Sequence, residues 1–182
     1  MEDIGLRRLI ALGMACVLAA FSQGVVAQAA DGFDFNAHHV DAVYEGKLQL
    51  PDFKARDKDF ASFKTRITEA MKAGVTFAGE YAVAQFGCGT GCTNVVVANN
   101  RTGQLYSFPR GGEFNQGLEL KFDRHSNLMV VRWYTDSLWE TCVLESFVFN
   151  DGRWIAGDAL ASKGDQACSG DVIAGVNTVR GR

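Results

Sequence analysis

The sequence has little proline and no strong excess of charge of either sign. Only two of its 182 residues are proline, and no Pro-rich linker or low-complexity segment interrupts it. The formal net charge is −3, too small and too evenly spread to attract nucleic acid or an anionic membrane surface. We therefore expect no nucleic-acid partner and no membrane partner. The length suits a single domain.

The N-terminus carries the parts of a secretory leader. Arg7 and Arg8 precede an uncharged run of 13 residues, 9–21, and Ala27-Gln28-Ala29 follows a short polar stretch. A basic flank, a short apolar core and small residues two positions apart are the three parts of a cleavable signal peptide. The apolar run is too short to span a bilayer as a helix.

Cleavage after Ala29 leaves 30–182 as one globular domain, which we expect in the periplasm. Cleavage after Ala27 is a second reading, and a lipid anchor on Cys16 is a third. The end of the chain, 170–182, is rich in Gly and Asp and is predicted to be a loose tail.

Four cysteines remain after the leader: Cys88, Cys92, Cys142 and Cys168. An even number of cysteines in an exported chain predicts two disulfides. We favour Cys88–Cys92, because the flexible Gly89-Thr90-Gly91 between them allows so small a ring, and this leaves Cys142–Cys168. A four-thiolate zinc site is the alternative, although the spacing matches structural zinc sites loosely.

The hydrophobic pattern predicts an α+β fold, with one amphipathic helix packed on an antiparallel meander sheet of about six to seven strands. Phe60, Phe63, Ile67 and Met71 recur at three- and four-residue steps, which is typical of one helix face. After Gly74 the chain reads as strands joined by short polar turns, which favours antiparallel neighbours. The predicted strands are 80–86, 93–98, 104–108, 118–122, 128–135, 142–149 and 154–159.

The segment Gly87-Cys88-Gly89-Thr90-Gly91-Cys92 has three interpretations. It fails as a dinucleotide fingerprint because a strand follows it where a phosphate-binding helix would begin. A thiol–disulfide redox motif has two residues between its cysteines, whereas this segment has three. It also lacks the helix N-terminus that activates a catalytic thiol. A disulfide-closed turn between two strands fits best, and Thr90 at its tip is a candidate contact for a partner.

No catalytic constellation is recognisable. The histidines are His38, His39 and His125; adjacent histidines in an extended segment point apart, so we predict no metal site from them. No nucleophile elbow, zinc-protease helix or phosphate-binding loop occurs. We predict no enzyme activity and no cofactor.

The loop that follows the fifth predicted strand is the best candidate for a binding surface. Asp136-Ser137-Leu138-Trp139-Glu140-Thr141 carries a Trp and a Leu among polar residues. Trp139 either folds back onto the sheet as core or projects as a binding anchor, since Trp dominates interface hot spots. In the second case Ser137 and Glu140 supply a polar rim.

Two motifs carry a resemblance to known proteins. Phe77-Ala78-Gly79 with Tyr81, followed after a strand by Gly87-Cys88-Gly89-Thr90 and Cys92, resembles a widespread group of small exported bacterial proteins. The resemblance extends from Val43 to Ala159. Those proteins often have His at the position of Glu80, so no role of that histidine carries over.

In size, leader and cysteine content the chain is similar to periplasmic immunity proteins that neutralise type VI secretion peptidoglycan amidases of the third group. This resemblance implies a non-catalytic inhibitor that binds the amidase and blocks its active-site cleft. A periplasmic thiol–disulfide enzyme that uses Cys88 and Cys92 is one alternative, and an envelope ligand-binding protein is another. The sequence leaves a homodimer open.

Overall fold

The computed structural model describes residues 31–181, and in it seven strands form two antiparallel sheets. The first sheet has the order β1-β2-β3, formed by Tyr81–Gly89, Cys92–Asn99 and Leu105–Ser107. The second has the order β4-β5-β6-β7, formed by Gln116–Phe122, Leu128–Tyr134, Thr141–Asn150 and Arg153–Lys163. The α+β class and the antiparallel order of neighbouring strands are confirmed.

The meander is divided between two sheets and is not one sheet. The division lies between β3 and β4, where the chain passes through Pro109, Gly111 and Gly112. Gly111 and Gly112 have φ of 124° and 67°, which side chains other than glycine rarely adopt. A carbon added at Gly111 would lie 2.4 Å from the carbonyl oxygen of Thr93. These glycines let the chain leave the first sheet and enter the second.

The strands β2 and β5 are buried on both faces, which explains their continuous apolar runs. In β2, Val95 and Val97 face the core between the sheets, whereas Val96 and Ala98 face the first helix. In β5, Met129 and its odd-numbered neighbours face the inter-sheet core, and the even-numbered residues on the other face pack against the C-terminal helix. The layers are therefore helix, sheet, sheet and helix.

The predicted amphipathic helix is confirmed. A 3₁₀ helix, Lys58–Phe63, runs directly into α1, Lys64–Ala73, which ends at Gly74 with φ of 107°. Ile67 and Met71 are buried on β1. The small residues Ala82 and Ala84 of β1 lie in the same buried cluster, and their size lets the helix approach the sheet closely.

The C-terminal segment differs from the predicted loose tail. After the short α2, Asp165–Cys168, the chain forms α3, Val172–Arg180. The Asp171 carboxylate caps α3 by accepting hydrogen bonds from the next turn. Val172 and Val176 are buried against the second sheet. The apolar residues recur at helical spacing, and this signal outweighs the Gly and Asp content.

Both predicted disulfides are present. Cys88 and Cys92 close the turn between β1 and β2, with 5.1 Å between their Cα atoms. Cys142 of β6 is joined to Cys168 at the end of α2. The second bond therefore ties the C-terminal helices to the second sheet.

The predicted leader, its cleavage site and Cys16 lie outside the described residues. No helix within 31–181 has the length and apolar character needed to span a membrane.

Candidate functional site

The loop between β5 and β6 is held by the carboxylate of Asp136. One of its oxygens accepts hydrogen bonds from the backbone N–H groups of Leu138 and Glu140, at 3.0 and 3.1 Å. The other accepts from the N–H of Thr141 at 2.8 Å. The bond from Glu140 is the main reason that the pKa of Asp136 is lowered, and the bond from Thr141 comes next. One side chain thus organises the whole loop.

Trp139 stands at the centre of this loop in an unusual conformation. Its φ is 59°, in the left-handed region that a bulky residue rarely adopts. One face of the indole stacks on Tyr134, with ring centres 5.1 Å apart and planes 19° apart. The side chain is nevertheless 47% exposed. Trp139 is therefore neither fully buried nor fully exposed: one face of the indole packs on Tyr134, and about half of the residue is open to solvent.

The Cys88–Cys92 turn lies beneath Trp139. A side-chain carbon at Gly91 would lie 3.2 Å from Cζ2 of the indole. The N–H of Gly117, at the start of β4, donates to the carbonyl of Gly91 at 2.8 Å. The structure therefore brings the two predicted surfaces together, and exposed Thr90 stands at the tip of the turn.

Phe114 is a surface residue that the sequence reasoning missed. Its side chain is 92% exposed, in the loop that leads into β4. Leu138 is 77% exposed on the β5–β6 loop, whose Trp139 approaches β4 at Gly117, three residues after Phe114. A Phe among Gly and polar residues in a turn is the signal that could have indicated it. We call Thr90, Phe114, Leu138 and Trp139 the loop-end patch.

Polar groups and a groove border the loop-end patch. Ser137 and Glu140 are exposed, and the Glu140 carboxylate lies 3.7 Å from Nζ of Lys163. Between these loops and α2 is a cavity of about 330 Å³, lined in part by Tyr134, Trp139 and Cys168. A cavity of this size admits a side chain of another protein.

Two ion pairs that each have one buried member do not form part of this patch. Arg110 donates to both oxygens of Glu145, at 2.7 and 2.6 Å, and Trp133 donates to the same carboxylate at 3.3 Å. Arg132 donates to Glu119 at 2.7 Å. Because the carboxylate of Glu145 is occupied from several sides, its arrangement is that of a structural group.

No protein-family model, curated protein or solved structure matches the chain. Within 31–181, no three His, Cys, Asp or Glu side chains lie close enough together to hold a metal ion.

Proposed function

We propose that this protein is a non-catalytic periplasmic immunity protein that binds a type VI secretion peptidoglycan amidase and blocks its active site. The loop-end patch is its binding surface. The observation that carries the proposal is the half-exposed Trp139, fixed between Tyr134 and the disulfide turn. The similarity of leader, size and cysteines to such immunity proteins gives the class of partner.

A fixed aromatic side chain suits an inhibitor because little side-chain and loop entropy is lost when the partner binds. The N–H bonds to Asp136 set the loop before the partner arrives, and preorganisation of this kind increases affinity. Exposed Leu138 and Phe114 add apolar area around the Trp. A tight complex would bury about 1,600 Å² in total, so further residues around the patch take part.

The test uses a purified peptidoglycan amidase encoded beside this gene. The protein is expected to bind the amidase, to inhibit its cleavage of peptidoglycan, and to restore growth when the amidase is directed to the periplasm. Replacing Trp139 or Leu138 with Ala is expected to weaken binding at least thirtyfold, in the range of hot-spot residues.

The control variant is Leu50→Ala. Leu50 is 52% exposed and lies outside the loop-end patch, so its loss should leave affinity unchanged. Failure of the wild-type protein to bind or protect would refute the proposed function. Binding that Leu138→Ala and Leu50→Ala weaken equally would refute this patch as the surface.

A thiol–disulfide activity is the second candidate, and the exposure of Cys88 favours it. Cys88 is exposed, whereas Cys142 and Cys168 are buried. Titration of free thiols in glutathione buffers separates the two functions, since a structural disulfide resists reduction in such buffers. Two resistant disulfides support the inhibitor, and a readily reduced Cys88–Cys92 supports the redox protein.

A further inference from the structure

The last strand of the second sheet, β7, presents a long unpaired edge. It has 11 residues, Arg153–Lys163, and among the described strands it pairs with β6 alone. No backbone hydrogen bond from elsewhere in 31–181 reaches its outward side. A row of unpaired N–H and C=O groups is a ready template for another strand.

The other edge strands are protected in different ways. On β1, the hydroxyl of Thr76 accepts a hydrogen bond from the N–H of Val83 at 3.1 Å. β3 is only three residues long. The start of β4 is irregular, and the N–H of Gly117 there donates to the carbonyl of Gly91. Short strands, bulges and side-chain cover are devices that block edge pairing, so among the described strands β7 has the edge most open to a partner.

The first half of β7 carries an apolar side chain in solvent. Ile155 is 55% exposed, and its neighbours Ala156 and Gly157 are small and exposed. Trp154 packs against the core between the sheets. Because side chains alternate along a strand, Arg153 and Ile155 lie on the opposite, outer face of the sheet.

The β6–β7 hairpin determines which backbone groups of β7 point outward. Its turn has two residues, and Asn150 pairs with Arg153 across it. The residues that flank such a turn are hydrogen-bonded to each other, and hydrogen-bonded pairs alternate with non-hydrogen-bonded pairs along an antiparallel ladder. The backbone groups of Arg153 and Ile155 therefore point toward β6, whereas those of Trp154 and Ala156 point outward.

We propose that two copies of this chain pair through β7, antiparallel about a twofold axis at Ile155. In this register Trp154 of one copy exchanges backbone hydrogen bonds with Ala156 of the other, so the outward groups of both residues are satisfied. Ile155 faces its own symmetry copy as a non-hydrogen-bonded pair, in which side chains approach most closely. The pairing joins the two four-stranded sheets into one continuous sheet.

Charge complementarity indicates that the occupant of this edge is a second copy. Asp158 lies on the outer face of β7, since its carboxylate is 3.5 Å from Arg180 of α3, and its side chain is 58% exposed. Arg153 lies on the same face. In the proposed register Arg153 of one copy faces the bulge in β7 of the other, next to its Asp158. The twofold axis forms this opposite-charge contact twice, as a self-complementary interface requires.

The pairing leaves the loop-end patch free. Ile155 pairs with Val148 near the β6–β7 turn, whereas Lys163 pairs with Thr141 at the end of the sheet that carries the patch. The axis is therefore about 25 Å from the patch at the rise of a strand, and the dimer presents two patches. A contact through one short strand segment buries less than about 1,200 Å², so we expect a weak, reversible association. Failure of this proposal leaves the inhibitor proposal untouched, and the reverse also holds.

The experiment is sedimentation equilibrium of the purified protein over a range of concentrations. The average mass is expected to rise from that of one chain toward that of two as the concentration increases. Ile155→Lys places like charges on the axis and should weaken association about tenfold or more. Leu50→Lys is the matched control and should leave association unchanged, because Leu50 is 52% exposed and lies beside the β2–β3 turn at Gly103.

Charge-reversed variants test the register. Arg153→Glu and Asp158→Lys each bring like charges together when the variant pairs with itself, so each alone should associate about tenfold more weakly or worse. A mixture of the two restores both opposite-charge contacts and is expected to form the mixed dimer. Melting of each variant at low concentration checks that it folds.

Three results would overturn the proposal. The first is a wild-type protein that stays monomeric up to about 1 mM, where even a binding free energy of about −4 kcal/mol produces a dimer. The second is a dimer that Ile155→Lys and Leu50→Lys weaken equally. The third is a mixture of the charge-reversed variants that associates no better than either variant alone.

Discussion

At the scale of single residues, the proposed binding loop depends on one carboxylate. Asp136 receives three backbone N–H groups, and Trp139 lies within the turn that they define. Because hydrogen bonds favour the charged form, the pKa of this carboxyl is lower in the folded protein than in the unfolded chain. Its stabilising effect is therefore present above the unfolded pKa, about 3.9, and is lost as pH falls through the lower folded pKa.

We predict that Asp136→Asn makes the backbone amides of Glu140 and Thr141 exchange faster with solvent at pH 5 to 7. The amide side chain has one acceptor oxygen where the carboxylate has two. In the wild type, protection of these amides should persist at pH 5 and decline only below about pH 4. Amide exchange followed by NMR measures both effects. Asp151→Asn, in the β6–β7 turn, should change neither; a loop unaffected by Asp136→Asn would contradict this role.

A second single-residue feature is the buried guanidinium of Arg132. Its side chain is 2% exposed, and its partner Glu119 is 54% exposed. Nε and Nη1 of Arg132 have no hydrogen-bond partner among the described residues. Glu119 is therefore the charge that offsets the burial of this cation, and its loss leaves a buried charge unpaired.

We expect Glu119→Gln to lower the free energy of unfolding by about 2 kcal/mol. This is somewhat less than removal of a fully buried ion-pair partner costs, because Glu119 is itself half-exposed. Glu140→Gln is the control, since Glu140 and Lys163 form an exposed pair and such pairs contribute about 0.5 kcal/mol. Equilibrium unfolding in urea measures both variants. Equal losses would show that Glu119 does not stabilise Arg132.

At the scale of elements, α3 is the part of the structure that the sequence reasoning placed least well. Val172 and Val176 are buried against Leu128, Val130 and Leu144 of the second sheet. Without α3 this face of the sheet would be open to water. Gly175 allows close approach, because a side-chain carbon there would lie 2.5 Å from the carbonyl oxygen of Ala167.

Val176→Asp is predicted to destabilise the protein by more than about 3 kcal/mol, because it places an unpaired charge in an apolar contact. The adjacent Asn177→Asp changes an exposed position and should cost less than about 0.5 kcal/mol. Thermal and urea unfolding give both values. Similar stability of the two variants would indicate a loose tail, as the composition of 170–182 first suggested.

At the scale of the whole molecule, two sheets share one core and each carries a helix on its outer face. The two disulfides constrain different parts of this arrangement. Cys88–Cys92 closes a hairpin that the β1–β2 pairing already holds. Cys142–Cys168 joins segments 26 residues apart, and so it restricts the unfolded chain more.

Replacing both cysteines of the Cys142–Cys168 pair with Ala is expected to cost about 3.5 kcal/mol in unfolding free energy. The corresponding change at Cys88 and Cys92 should cost about 2 kcal/mol, since the stabilisation increases with the length of the closed loop. Denaturant unfolding measures both double variants. If the small ring contributes more than the large one, loop length is not the dominant effect.

Local patterns determined much of the fold. The three- and four-residue spacing of Phe60, Phe63 and Ile67 indicated the helical segment 58–73, in which a 3₁₀ helix leads into α1. Alternation with polar turns located the seven strands within a few residues. The short connection through Gly89 and Gly91 indicated the Cys88–Cys92 ring. Each of these features depends on residues close together in the chain, so a periodicity or a spacing suffices to find it.

The sequence by itself also indicated that Trp139 and Thr90 were candidate contacts, but only the tertiary structure placed the turn that carries Thr90 against Trp139, through Gly91. It likewise divided the strands between two sheets, docked α3, and brought His39 to His125. These outcomes depend on contacts between residues distant in the chain, whose free energies come from burial shared among several elements. No local periodicity in the sequence indicates such contacts, so only the folded structure shows them.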